Sequence, residues 1–211
     1  MSKLMELSVN QLVSEVKKAV IGKGLSYGMA EDIAAATHYL CGYHIVADAE
    51  IAAFLQSETH SHPSFTFDKT KRTIKLSATA TLPSLIAAMD YLIAGQADEI
   101  EMEMPHYPFL SLGLIGIRQS SHFGSFGIVA NGDDGQPNIA EYLSEKTAPK
   151  ASSYFIVKHP FHPEKRPSFP ARITVDKNAY EVIGSFAFRN YVPSSQASRL
   201  AGAGAGLNDN D

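Results

Sequence analysis

The feature that most restricts the fold is a change in hydrophobic period along the chain. Apolar residues recur at helical spacing over the first fifty-five residues and then alternate with polar ones further on. A spacing of three to four residues puts side chains on one helix face, whereas strict alternation belongs to a strand. Ser8 and Gln11 form a capping box, followed by Val9, Leu12, Val13, Val16 and Val20 on one stripe, with Gly22 and Gly24 as the stop. A second helix is predicted from Ser26 to Cys41, carrying Ala30, Ile33, Ala34, Thr37 and Cys41 inward, and Gly42 breaks it. Ala47 to Leu55 predicts a third, short helix. Phe65/Phe67 and Ile74/Leu76 then alternate around Asp68–Lys71, which reads as a β-hairpin. Thr81 and Pro83 open a helix with Leu85, Ile86, Met89 and Ile93 on its apolar face.

Glu99, Glu101 and Glu103 interleave with Ile100, Met102 and Met104, a strand with one wet face; a solvated edge outweighs a metal ladder for these glutamates. Leu112, Leu114, Ile115 and Ile117 form a more continuously apolar run, expected to be a strand buried on both faces. Phe126–Ala130, Ser153–Lys158 and Arg172–Val175 read as further strands, Ile139–Glu145 as a short helix, and Asn131–Gly135 as a turn. The proline-rich segment from His159 to Pro170 reads as a loop, and Asp176 as the cap of a helix with Tyr180, Ile183 and Ala187 inward. The expected class is α/β or α+β. Residues 1–55 form a helical unit, 56–190 a mixed sheet with packed helices, and 191–211 a Gly/Asp-rich motif, together one compact domain.

Charge and composition narrow the function classes. The net charge is −4 across 211 residues, which gives no support for nucleic acid or an anionic membrane as partner. No apolar run reaches the roughly 18 residues of a membrane-spanning helix. MSKLMELS lacks a continuous apolar stretch, so no signal peptide is expected and the cytoplasm is the expected compartment. The single cysteine, Cys41, cannot form an intrachain disulfide and suits a small buried side chain on its helix.

The last stretch, Tyr191 to Asp211, alternates Gly202, Gly204 and Gly206 with alanines and closes on Asn208-Asp209-Asn210-Asp211. Composition leaves two readings open, a frayed end and a binding motif. In the second, Asp209 and Asp211 are candidate ligands for a hard cation, and glycine backbone lets another chain or a ligand approach closely. Among eight histidines, His122 has the most suggestive setting, with Ser120, Ser121 and Asn131 near it in sequence and Gly124 and Gly127 leaving room for a ligand. His60 and His62 have alternate spacing, but only Glu58 stands near as a third metal ligand. His38 fits a half-buried structural role. No phosphate-loop, dinucleotide-glycine, nucleophile-elbow or paired-cysteine motif occurs.

Two resemblances add to this. Gly24–Glu31 (GLSYGMAE), together with Tyr191-Val192-Pro193, Ala197–Leu200, Gly202–Gly206 and Asp209–Asp211, resemble an uncharacterised bacterial family catalogued as domain of unknown function 3726. That family implies no activity, though it makes the closing stretch a motif. More distantly, Ile115–Gly127 (IGIRQSSHFGSFG) is similar to the strand and loop of the malate/L-lactate/ureidoglycolate dehydrogenase family. The resemblance implies a catalytic role for His122 beside a nicotinamide cofactor, NAD(P). Ser121 replaces that family's asparagine, His44 matches one residue of its helical motif, and Asp48 stands where its arginine would be. The cofactor therefore stays open.

Two functions are expected to compete. One is a small-molecule enzyme, or a degenerate dehydrogenase relative, acting on a hydroxy- or keto-acid-like substrate. His122 and His44 would be its catalytic residues, with Ser120, Ser121, Ser198 and Arg199 binding substrate, Arg199 through a charge-assisted pair. The other is a non-catalytic ligand-binding or accessory subunit whose tail docks in the fold or in a neighbouring chain. A homo-oligomer is expected.

Overall fold

The computed structural model describes residues 3–58, 63–77, 79–103, 105–120, 125–130, 139, 143, 146, 153–159 and 168–190. Strand β1 (Leu4–Leu7) precedes helices α1 (Val9–Gly22), α2 (Tyr27–Cys41) and α3 (Asp48–Gln56). The hairpin β2 (Thr66–Asp68) and β3 (Thr73–Leu76) leads to α4 (Leu82–Ile93) and β4 (Glu99–Glu103). Helix α5 (Pro108–Ser120), strands β5 (Ser125–Ala130), β6 (Ser153–His159) and β7 (Ile173–Asp176), and helix α6 (Lys177–Phe188) follow. The class is thus a mixture of helices and mixed sheet, as the periodicities predict. Among the described residues no helix is long and apolar enough to cross a membrane.

Local chemistry accounts for most element ends. Ser8, Ser26 and Asp176 each accept backbone N–H bonds from the first turn of the helix they precede. Ser8 accepts the Gln11 N–H, one half of the capping box, while the Gln11 side-chain amide nitrogen donates to the Tyr180 hydroxyl. Gly24 and Gly95 take φ of +92° and +72° just beyond α1 and α4, a left-handed backbone that favours glycine. At the end of α2 the left-handed residue is His44 (φ 58°), while Gly42 stays right-handed.

The main sheet has the order β2-β3-β4-β6-β5. Only β3 and β4 run parallel; the other neighbours are antiparallel. Ile74, Leu76, Ile100, Met102 and Ile156 are buried, whereas Lys75 and the glutamates of β4 occupy the other side. On that side the register sets Thr73 against Glu99 and Lys75 against Glu101, and both pairs bond, at 2.7 Å each. A second, two-stranded sheet joins β1 to β7, pairing Leu4 with Asp176.

The helices pack in pairs: α1 on α2 and α6, α2 on α5, and α3 on α6. The apolar run at Leu112–Ile117 is therefore helix, not the doubly buried strand expected from its composition. A helix enclosed on several sides loses its polar face, and with it the period that would identify it. Its glycines are the trace that remains. A Cβ at Gly113 would sit 3.0 Å from the Ala36 carbonyl oxygen, and one at Gly116 would sit 2.2 Å from the Tyr39 ring. Gly22 does the same for α1 and α6, where a Cβ would lie 1.9 Å from the Phe186 carbonyl oxygen. Arg118 closes α5 onto two other helices with a two-pronged bond to Asp32 (2.8 and 3.0 Å) and a contact to Asp90 at 3.5 Å.

The N-terminus of α5 is capped from a distance. Glu50, on α3, accepts the N–H groups of Phe109 (3.2 Å) and Leu110 (2.9 Å) with its two carboxylate oxygens. Burial raises the Glu50 pKa above the ordinary glutamate value, and the two N–H donors only partly oppose it.

Candidate functional site

Most side chains nominated from sequence lie outside the described residues: Ser121, His122, Ser198, Arg199, Asp209 and Asp211, and also His60, His62 and the Asn131–Gly135 turn. Ser120 is the last residue of α5. His44 is exposed at the turn after α2, where its N–H donates to the Cys41 carbonyl and its Nε2 lies 3.4 Å from Ser168 Oγ. The Ser168 N–H also donates to the Gly42 carbonyl, and Phe169 stacks on His38 at 4.3 Å. His38 and His44 thus hold residues 168–169 against the end of α2. Asp48 is used by the backbone, accepting from Asp176 N (2.5 Å) and Ala49 N (2.9 Å). Cys41 is fully buried and its thiol is pushed up to about 11 by that burial, so it packs as a small apolar side chain.

Parallel strands β3 and β4 end side by side, at Leu76 and Met102–Glu103, and the segments leaving them diverge to α4 and α5. Ligand sites in sheet proteins favour this place, the crevice outside the carboxyl ends of parallel strands. Here it holds a cavity of about 300 Å³, within the range of small-molecule pockets. Its walls come from the turn after α1 (Lys23, Leu25), the end of α3 (Phe54, Ser57, Glu58), the start of α4 (Thr79–Thr81, Pro83) and the loop before α5 (His106, Tyr107).

Lys23 is the cation of this cavity. Its Nζ donates to the Leu55 carbonyl at 3.0 Å and the Ser57 carbonyl at 2.5 Å, and stands 5.4 Å from the centre of the Phe54 ring. Those carbonyls close α3, so the ammonium answers the negative end of that helix. An ammonium carries three donors and two are committed among the described residues, which leaves one for an occupant. Burial lowers the Lys23 pKa from 10.5, with nearby Arg189 adding to the effect. From Lys23 the wall continues through aromatic rings, Phe54 edge-on to Tyr107 (5.8 Å) and Tyr107 tilted against His106 (6.4 Å).

A smaller cavity of about 10 Å³ adjoins this one and shares Ala80, Thr81, His106 and Tyr107 with it. Ser111, on the first turns of α5, lines the small cavity. The residue is 2% exposed, and its buried hydroxyl has no hydrogen-bond partner among the described residues.

Of these groups the sequence singled out only Glu58, as a metal ligand beside His60 and His62. They come from four separated segments, and no local spacing marks Lys23 or Ser111 as anything but a helix-end lysine and a serine in an apolar run. His44 does not line the cavity. Ser125, the first described residue after His122, lies opposite His159 near the end of the sheet where β4 begins, whereas the cavity lies where β4 ends.

Residues 7–83 match the model of a family described as a protein of unknown function (DUF3726). The match takes in Gly24–Glu31 and three of the four walls of the cavity, from Lys23 to Pro83, and stops well before residues 191–211. No curated protein and no solved structure matches the chain.

Proposed function

We propose that this protein binds a small monocarboxylate, of the hydroxy- or keto-acid kind, in the cavity at the carboxyl ends of β3 and β4. The observation that carries the reading is Lys23, a partly buried ammonium on the cavity wall with two of its three donors committed among the described residues. A carboxylate accepts such a donor in a charge-assisted bond, while Leu25, Phe54, Pro83 and the Tyr107 ring suit a short carbon skeleton. Charge sets the number of negative groups. Glu58 on the rim and Glu103 in the adjoining cavity oppose a second anionic group, so a phosphate or dicarboxylate fits less well. His106, Tyr107, Glu58 and Lys23 are wall residues able to move a proton, so acid–base chemistry is the form catalysis would take here.

Ligand-observed NMR with pentanoate, 4-oxopentanoate and inorganic phosphate tests this. The acids should bind and phosphate should not, and Lys23→Met should weaken acid binding at least tenfold, the loss of one buried charged hydrogen bond. Equal binding by a folded Lys23→Met variant would sink the reading.

A further inference from the structure

We infer that Ser111 is a specificity-determining residue of this cavity, selecting ligands that carry a neutral oxygen, carbonyl or hydroxyl, away from the carboxylate. The inference rests on the monocarboxylate reading and sharpens it.

A serine inside a helix ordinarily bonds back to the carbonyl one turn earlier or reaches water. Among the described residues the Ser111 hydroxyl bonds to no carbonyl, and it is closed off from bulk solvent: its backbone N–H takes the Tyr107 carbonyl, and its hydroxyl is left over. Buried hydroxyls without partners are scarce in folded proteins because the lost hydration is uncompensated. The free hydroxyl lines a space of about 10 Å³, whose other walls include Leu76, Leu82, Leu85 and Met102. That volume admits one water-sized group and no more. The space shares four wall residues with the larger cavity, so a ligand anchored at Lys23 has a neighbouring recess of one-atom size with a single polar group in it. A methyl or methylene in the recess would leave the Ser111 hydroxyl unpaired. A carbonyl oxygen would accept its proton, and a ligand hydroxyl could donate to it. Sites built in this way reject the analogue lacking the oxygen more strongly than they favour its presence, because the buried polar group is then stranded. Glu103 also lines the recess, which disfavours a second carboxylate there and favours the neutral oxygen.

The test compares matched acids by ligand-observed NMR titration: 2-oxopentanoate and 4-oxopentanoate against pentanoate, and 5-oxohexanoate against hexanoate. In the wild-type chain at least one oxo acid should bind five- to tenfold tighter than its parent, the range of one neutral hydrogen bond. Ser111→Ala should abolish that preference while still binding the parent acid, and Ser111→Cys, which keeps the size with a weak donor, should fall between. Lys23→Met should weaken oxo and parent acids alike. If oxo and parent acids bind the wild type equally, or if the preference survives in Ser111→Ala, the inference is overturned and the monocarboxylate reading stands. If no acid binds the wild type, both fail.

Discussion

At the scale of single residues, two helix pairs approach so closely at glycines that a side chain there would have no room. Gly22 faces the Phe186 carbonyl oxygen and Gly116 faces the Tyr39 ring, at distances where a Cβ cannot be accommodated without movement. Alanine in a helix is worth about 1 kcal/mol more than glycine, so an open site would be stabilised by the exchange. Here forced overpacking, typically about 1–3 kcal/mol, works against that gain. Gly22→Ala should be the worse of the two, because it meets backbone and must displace α6, whereas Gly116→Ala meets a ring. Urea denaturation should show both variants less stable than wild type, with the larger drop in midpoint for Gly22→Ala. A gain in stability for either would show that the helix pairs are looser than these distances imply. Neither role is visible in the chain itself, where Gly22 reads as a helix stop and Gly116 as a glycine in an apolar run. Lys23 and Ser111 are equally silent, because each acquires its setting from segments distant in sequence.

At the scale of elements, sequence conveyed most where one face of an element is wet. The amphipathic stripe of α1, the caps at Ser8 and Asp176, the helix from Ser26 and the alternation of β4 are local patterns that water enforces, and each element lies within a residue or two of its expected place. Where water is excluded the pattern fades, which is why α5 resembled a buried strand. Strand β1 escaped notice because four residues pairing with the far end of the chain leave no local mark. The cap that Glu50 places on α5 is also non-local, and it makes a pH prediction. Its folded-state pKa lies above the unfolded value near 4.5, so the native state binds the proton more tightly and this group's contribution declines as pH rises from about 4.5 toward neutrality. Glu50→Gln removes the titration and leaves every other carboxylate in place. The stability difference, wild type minus Glu50→Gln, should therefore shrink across that window in paired denaturation curves. A difference that stays constant or grows with pH would count against the buried cap.

At the scale of the whole molecule, the helical part is not confined to the first fifty-five residues. Helices α1 and α2 pack on each other, but α1 also rests on α6, α2 on α5, and β1 on β7, so the remaining partners of the opening elements come from the second half of the chain. The stretch that matches the family of unknown function, residues 7–83, holds α1 to α3 and β2 to β3 but none of those partners. Expressed alone, residues 7–83 should show no cooperative thermal transition by circular dichroism, since the apolar faces of α1 and α2 would lack their cover. A sharp melt of that fragment would mean that the opening helices can satisfy one another. The β1–β7 pairing also bears on how the chain is made. Pairing residue 4 with residue 176 is a contact of very long range, and such contacts form late and slowly. On a ribosome adding about 5–20 residues per second, α1 would wait on the order of ten seconds for α6 to emerge. Throughout that interval the part of its apolar face that α6 covers belongs to the solvent or to a chaperone, and a premature stop near residue 172 would leave it there for good.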